Sequence, residues 1–200
     1  MLTQKEQKIV LISAGVMAAL SALLFFLVDQ RTQVWLIATN NQPWMAVAKE
    51  IVTPFGKFDR IVGMLAILWL AGHLWKNTRC KQAAGLAMTS LICAGIPVLA
   101  LKFLTHRPRP LVLPGQVHSA LSGYYQSFPS AEAASAFAVA LGISAFFPKS
   151  RIPLLFVAVM IAAMRVLRLA HWPSDAVMGA AFGCVGYLIA ARRLHKKSQM

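Results

Sequence analysis

Apolar residues in this chain run in long blocks, without the short alternation that marks half-buried strands. Six blocks stand out, at residues 9–28, 61–75, 83–101, 131–147, 152–169 and 176–191. A helix crosses the hydrocarbon core of a bilayer with roughly 17–25 apolar residues. The pattern therefore predicts an all-α polytopic membrane helical bundle with about six transmembrane helices, the second and last of them short. Residues 29–60 keep some helical pattern, broken at Asn40-Asn41 and Pro43, with Trp35 and Trp44 suited to the headgroup level. One or two interfacial helices on the outer face are expected there. They form either a plain aromatic belt or a rim that admits a lipid sideways. Residues 1–8 read as a basic lead-in and 111–128 as an outer loop carrying Gly and Tyr. Asp29-Gln30-Arg31 follows the first block without a small-x-small cleavage signal, so that block reads as a retained anchor. No internal repeat divides the chain, and residues 1–200 read as one domain.

Composition agrees: 58% of residues are hydrophobic and 13% charged, with a mean hydropathy of +0.62, more apolar than a soluble domain needs. The net charge of +14 raises nucleic acid as a partner, but its distribution argues against that. With the N-terminus in the cytoplasm, six crossings put Lys5, Lys8, Lys76, Arg79, Lys81, Lys149, Arg151, Arg192, Arg193, Lys196 and Lys197 inside. This is the positive-inside pattern, with both termini cytoplasmic. Nine basic residues remain on the outer side, and Lys102, Arg107, Arg109, Arg165 and Arg168 flank just two inter-helix segments. That concentration runs against the topological bias and points to an anionic ligand. Cys80, Cys93 and Cys184 suggest neither a disulfide framework nor a zinc site.

The densest chemistry lies in Met-Arg-Val-Leu-Arg-Leu-Ala-His-Trp-Pro-Ser-Asp, residues 164–175. An arginine toward the bilayer centre costs ~2.5–3.5 kcal/mol, less when it snorkels. Snorkelling accounts for Arg168, whereas Arg165, one turn deeper, calls for an internal anionic partner. Pro173 suits the first turn of a helix, which places Asp175 in that turn. There Asp175 is either a carboxylate favoured by the helix dipole or the acceptor that fixes the tautomer of His171. The second arrangement leaves the other ring nitrogen free to attack an electrophile. Two Arg-Pro pairs after Lys102 make a stiff exit from the third block. Ser130 is placed as an N-cap and Glu132 in the first turn, which capping alone would explain. His73, His106, His118 and His195 read as interfacial, loop or solvated residues. Six crossings bring Lys102, Arg109, Ser130, Arg165, His171 and Asp175 to one rim, where two helix N-termini offer N–H groups to an anion.

These residues carry a resemblance. Lys102 is followed by six residues and Arg109-Pro110; then come Pro129-Ser130-Ala131-Glu132, and Met164-Arg165 followed by five residues, His171, three more and Asp175. This is similar to the type 2 phosphatidic acid phosphatase family, which shares its site with vanadium haloperoxidases and has the pattern Lys-x6-Arg-Pro, Pro-Ser-Gly-His and Ser-Arg-x5-His-x3-Asp. The motif-bearing core is residues 83–191. The resemblance implies that His171 is a nucleophile forming a phosphohistidine and that Asp175 orients it. Lys102, Arg109 and Arg165 would hold the phosphate oxygens, with Ser130 and the N–H of Ala131 completing the cradle. Arg107 is the alternative to Arg109. Neither a metal nor another cofactor is implied.

Three positions depart from the pattern: Met164 replaces Ser, Ala131 replaces Gly, and Glu132 replaces the histidine usually assigned as proton donor. A carboxylate beside a phosphate is repelled unless protonated or turned away. Glu132 therefore either acts as the acid or the leaving group departs without much help. A leaving group more acidic than a simple alcohol fits, as in undecaprenyl diphosphate or lipid A 1-phosphate. The expected function is an integral-membrane lipid phosphatase with its site on the outer, periplasmic face, its partners being the bilayer and a membrane lipid phosphate. A phosphotransferase of the same fold and a catalytically silent lipid-binding or transport protein are the rivals.

Overall fold

A computed structural model describes residues 4–112, 115–116 and 123–197. His118, the start of the lead-in at residues 1–3 and the side chains of Lys196 and Lys197 lie outside the described residues. The described chain is helical: α1 (Gln4–Leu27), α2 (Asp29–Asn40), α3 (Pro43–Gly56), α4 (Phe58–Leu74), α5 (Thr78–Thr105), α6 (Ala131–Ser144), α7 (Arg151–Leu167) and α8 (Pro173–Lys197). The interrupted segment after α1 forms two helices, parted where Pro43 opens α3 at its first position. Pro173 likewise opens α8 and Ser130 caps α6, as their local chemistry requires.

Four helices are long and apolar enough to cross a membrane, spanning Gln4–Leu27, Thr78–Thr105, Pro148–Leu167 and Pro173–His195. The chain is an integral membrane protein. The two remaining apolar blocks of the expected six are shorter as helices. Helix α4 has 17 residues and α6 has 14, or about 25 Å and 21 Å at 1.5 Å per residue, against a core of ~30 Å. In α6 the reason is visible. Residues 145–147, apolar in sequence, belong to the turn beyond the helix, and α5, α7 and α8 enclose it.

Helix α8 is the centre of the bundle, packed against α1, α5 and α6, while α4 lies on α5 and α3 on α7. Small residues permit this close approach. A Cβ at Gly179 would sit 2.3 Å from the Ser130 carbonyl oxygen, and one at Gly186 would sit 2.6 Å from the Ala94 amide of α5. Outward faces carry large apolar side chains such as Ile12, Phe26, Ile67 and Ile152, as contact with lipid tails demands. Buried polar side chains (Asp29, Lys102, Ser127, Ser130, His171, Ser174 and Asp175 among them) gather where α5 and α7 end and α6 and α8 begin.

Candidate active site

Two helix ends throw the reactive side chains together. Helix α7 closes with Leu169 in the left-handed region (φ 59°), and the Ala170 and His171 amides both return to the Arg165 carbonyl (3.1 and 3.2 Å). That is a helix-ending turn of the left-handed kind, and it folds His171 back over the start of α6. His106, also left-handed at φ 43°, ends α5. This is a more definite role than loop residue.

The His171 ring is fully buried. Its Nδ1 lies 2.6 Å from the Ser127 carbonyl oxygen. A carbonyl only accepts, so Nδ1 is the donor. Nε2 faces Glu132 Oε2 at 3.3 Å, and the other Glu132 oxygen pairs with Arg165 Nη2 at 2.8 Å. Glu132 thus bridges the guanidinium and the ring nitrogen. The lone pair on Nε2 is free only when the ring has given up the proton that lies toward Glu132. Burial pushes the affinity of His171 for a proton below the ordinary histidine range, with the hydrogen bond and charge of Glu132 opposing that shift.

Asp175 is not the direct partner of the ring. Its Oδ2 is 3.9 Å from Nδ1, beyond hydrogen-bond reach. It acts through Ser127 instead: Ser127 Oγ donates to Asp175 Oδ2 (2.5 Å), and the carbonyl of the same residue holds the ring. Asp175 also accepts from the Trp172 amide (2.8 Å) and pairs with Arg107. Arg107 Nη2 pairs in turn with Asp29 Oδ2 at 2.6 Å, and Asp29 accepts from the Ser174 amide (3.2 Å). Phe25 lies under the guanidinium, 4.4 Å from its ring centroid.

Arg107 is therefore consumed by two buried carboxylates and does not substitute for Arg109. Arg109 makes no salt bridge among the described residues, and its Nε is buried without a partner. Burial lowers its proton affinity and Arg165 lowers it further. Lys102 reaches the site from the last turn of α5 and donates to the Gln126 carbonyl oxygen at 2.6 Å. Ser130 is tied on both sides: its amide donates to the Asp175 carbonyl (3.0 Å) and its Oγ accepts from the Ala133 amide (3.3 Å). Of the expected cradle amides, that leaves Ala131, whose N–H at the first position of α6 has no carbonyl within the helix.

Asp29, Ser127 and Ser174 were not legible as site residues. Asp29 carried one signal, being one of only six acidic residues in the chain and sitting at the end of an apolar block. Ser127 and Ser174 carried none.

A family model described as PAP2 superfamily matches residues 83–199. A lipid A 1-phosphatase from Rhizobium etli is 27% identical over 154 residues, covering 67% of this chain and 65% of that protein. One from Rhizobium johnstonii is 26% identical over 162 residues, covering 71% and 65%. The chain thus spans slightly less than two thirds of these relatives' length. Among solved structures, Aquifex aeolicus LpxE superposes with a TM-score of 0.67 at 21% identity, covering 84% of this chain and 96% of that one. A transmembrane PAP2-type phosphatidylglycerolphosphate phosphatase from Bacillus subtilis gives 0.70 at 19%, covering 95% and 96%. At such identities the superpositions establish the fold.

Proposed function

The chain belongs to the PAP2 superfamily, and on that premise we propose that it is a metal-independent membrane lipid phosphatase working through a phosphohistidine at His171. One observation carries the reading. A buried imidazole, held through Nδ1 by Ser127, presents Nε2 to a place already occupied by an anion, the Glu132 carboxylate, which Arg165 grips from its other side. A phosphate entering there meets the nucleophile and the guanidinium together.

Attack by Nε2 on phosphorus requires the neutral ring, with the proton between it and Glu132 held on the carboxylate, which turns from the incoming oxygens and carries that proton toward the leaving group. Arg109, Arg165 and Lys102 gather the phosphate oxygens, joined by the N–H of Ala131, and stabilise the charge that builds in the transition state. Ser130 shapes the start of α6 and Asp175 holds Ser127. Water then cleaves the N–P bond and releases phosphate. Residues 1–200 form one phosphatase unit. Basic residues at the far end, such as Lys149 and Arg151, support a cytoplasmic position for that end and for both termini, and so a site on the outer, periplasmic face. Lipid A 1-phosphate and undecaprenyl diphosphate are the favoured substrates, the first supported by the names of the two relatives.

The experiment is phosphate release in detergent from lipid A, undecaprenyl diphosphate and phosphatidic acid. It is paired with detection of an acid-labile phosphoenzyme. His171→Ala should abolish both. Phosphate release that persists in this variant removes the reading, and a newly phosphorylated lipid in place of free phosphate turns it into a transferase.

A further inference from the structure

We propose that the pocket next to the Glu132 position is a second anion subsite, which holds the inner phosphate of a lipid diphosphate against Arg168. This rests on the phosphatase reading above and specifies the head group it acts on. The pocket is lined by Arg109, Tyr124, Arg165, Arg168, Leu169 and Ala170 among others. Arg165 and Arg168 also line the cavity that contains Glu132 and Thr53. The two spaces therefore share a guanidinium wall, and a group in one lies beside a group in the other.

The charges in this corner do not balance. Arg168 follows α7 directly and donates through Nη1 to the neutral Thr53 Oγ1 at 2.7 Å. Among the described residues no carboxylate makes a salt bridge to Arg168 or Arg109, whereas Arg165 has Glu132. Burial, and then Arg165, lowers the proton affinity of both. Three guanidinium groups around one half-open pocket repel each other until an anion separates them. A lone phosphate in the Glu132 position answers Arg165 but leaves the Arg168 face uncompensated. A second phosphate bonded to the first falls against the shared wall and is within reach of the other two arginines, whose forked donors suit it.

The chemistry balances. The Nε2 lone pair of His171 attacks the outer phosphorus; the N–P bond forms, and the bond from that phosphorus to the bridging oxygen breaks. Its electron pair stays on the bridging oxygen, now part of a lipid monophosphate whose charge the arginines stabilise. That leaving group is a weak base and departs without a proton. Water next bonds to the outer phosphorus, the N–P electron pair returns to Nε2, and inorganic phosphate leaves with the water's proton passing to solvent.

The test compares the full-length wild type with Arg168→Gln in detergent on farnesyl diphosphate and farnesyl monophosphate, which share one tail. The ratio of kcat/KM for diphosphate over monophosphate should fall about tenfold or more, the loss expected for a charge-assisted contact. Arg168→Lys should recover part of the ratio, and it serves as the readable variant if the Gln protein does not fold. In parallel, thermal protection by inorganic pyrophosphate should exceed that by inorganic phosphate in the wild type, and the excess should shrink in Arg168→Gln. An unchanged ratio, with equal pyrophosphate protection in both proteins, overturns the subsite even if phosphate is released. If no lipid is turned over while the protection difference holds, the phosphatase reading fails and the anion subsite stands.

Discussion

Arg107 and the trio Arg109, Arg165 and Arg168 lie at one end of the bundle and have opposite fates. On one side Arg107 is saturated, clasped by Asp29 and Asp175, bonded to Ser174 and resting on Phe25. On the other, Arg109, Arg165 and Arg168 share a single paired carboxylate, Glu132. The first group is closed: both carboxylates are paired with the one guanidinium, and together they fix the shape of the nucleophile's mount. The second is open, and its uncancelled charge is affinity waiting for an anion. The difference separates what builds the site from what the site binds, although both sides use the same residue type.

The sharpest way to break the comparison is to remove one arginine from each side. Arg107→Ala should cost about 3–5 kcal/mol of stability, because it strands two buried carboxylates, and denaturation in detergent reads that loss. Arg109→Ala should leave stability nearly unchanged and instead lower kcat by roughly 10²–10³, as for loss of one oxyanion donor. Equal effects on stability would erase the distinction. Ser127→Ala comes next. Losing the hydroxyl that satisfies Asp175 should cost about 1.5–3 kcal/mol, and kcat should fall while KM for the lipid stays put. A shift in KM alone would place Ser127 on the binding side.

Filling the open side is the gentler experiment. Inorganic phosphate at a hundred times its dissociation constant should add about 2.7 kcal/mol of stability to the wild type, with a smaller gain in Arg109→Ala. The smallest effect is on pH dependence. The proton affinity of His171 lies below the ordinary histidine range because the ring is buried, so the neutral nucleophile persists on mild acidification. The acid limb of kcat/KM should appear only as the pH falls through that lowered value. Glu132 raises the proton affinity of the ring, so Glu132→Gln should move the limb to still lower pH. An upward move would show that the carboxylate does not act on the ring.

Much of this protein was legible without coordinates wherever the signal was local. Block lengths gave the helical membrane class, Pro43 and Pro173 opened helices where their fixed φ and missing N–H allow it, and Ser130 capped α6. Spacing also put Lys102, Arg109, Arg165, His171 and Asp175 at one end of the bundle. The span count was less secure. An apolar run says how many residues prefer oil but not whether lipid or protein supplies it, and α6 is mostly enclosed by other helices.

Chain order alone determined the helices, their boundaries to within about two turns and the gathering of cations at one mouth, since each follows from periodicity, caps and breakers within a few residues. Packing alone decided which cation does what. Arg107 and Arg109 both precede proline in the same exit from α5, and nothing local tells them apart. Arg107 turns inward because Asp29, 78 residues away, is buried beside it. His171 is held by the carbonyl of Ser127, 44 residues away, because α6 and α8 approach closely over Gly179. Contacts between distant segments depend on how whole helices fit together, and no short window of sequence carries that information.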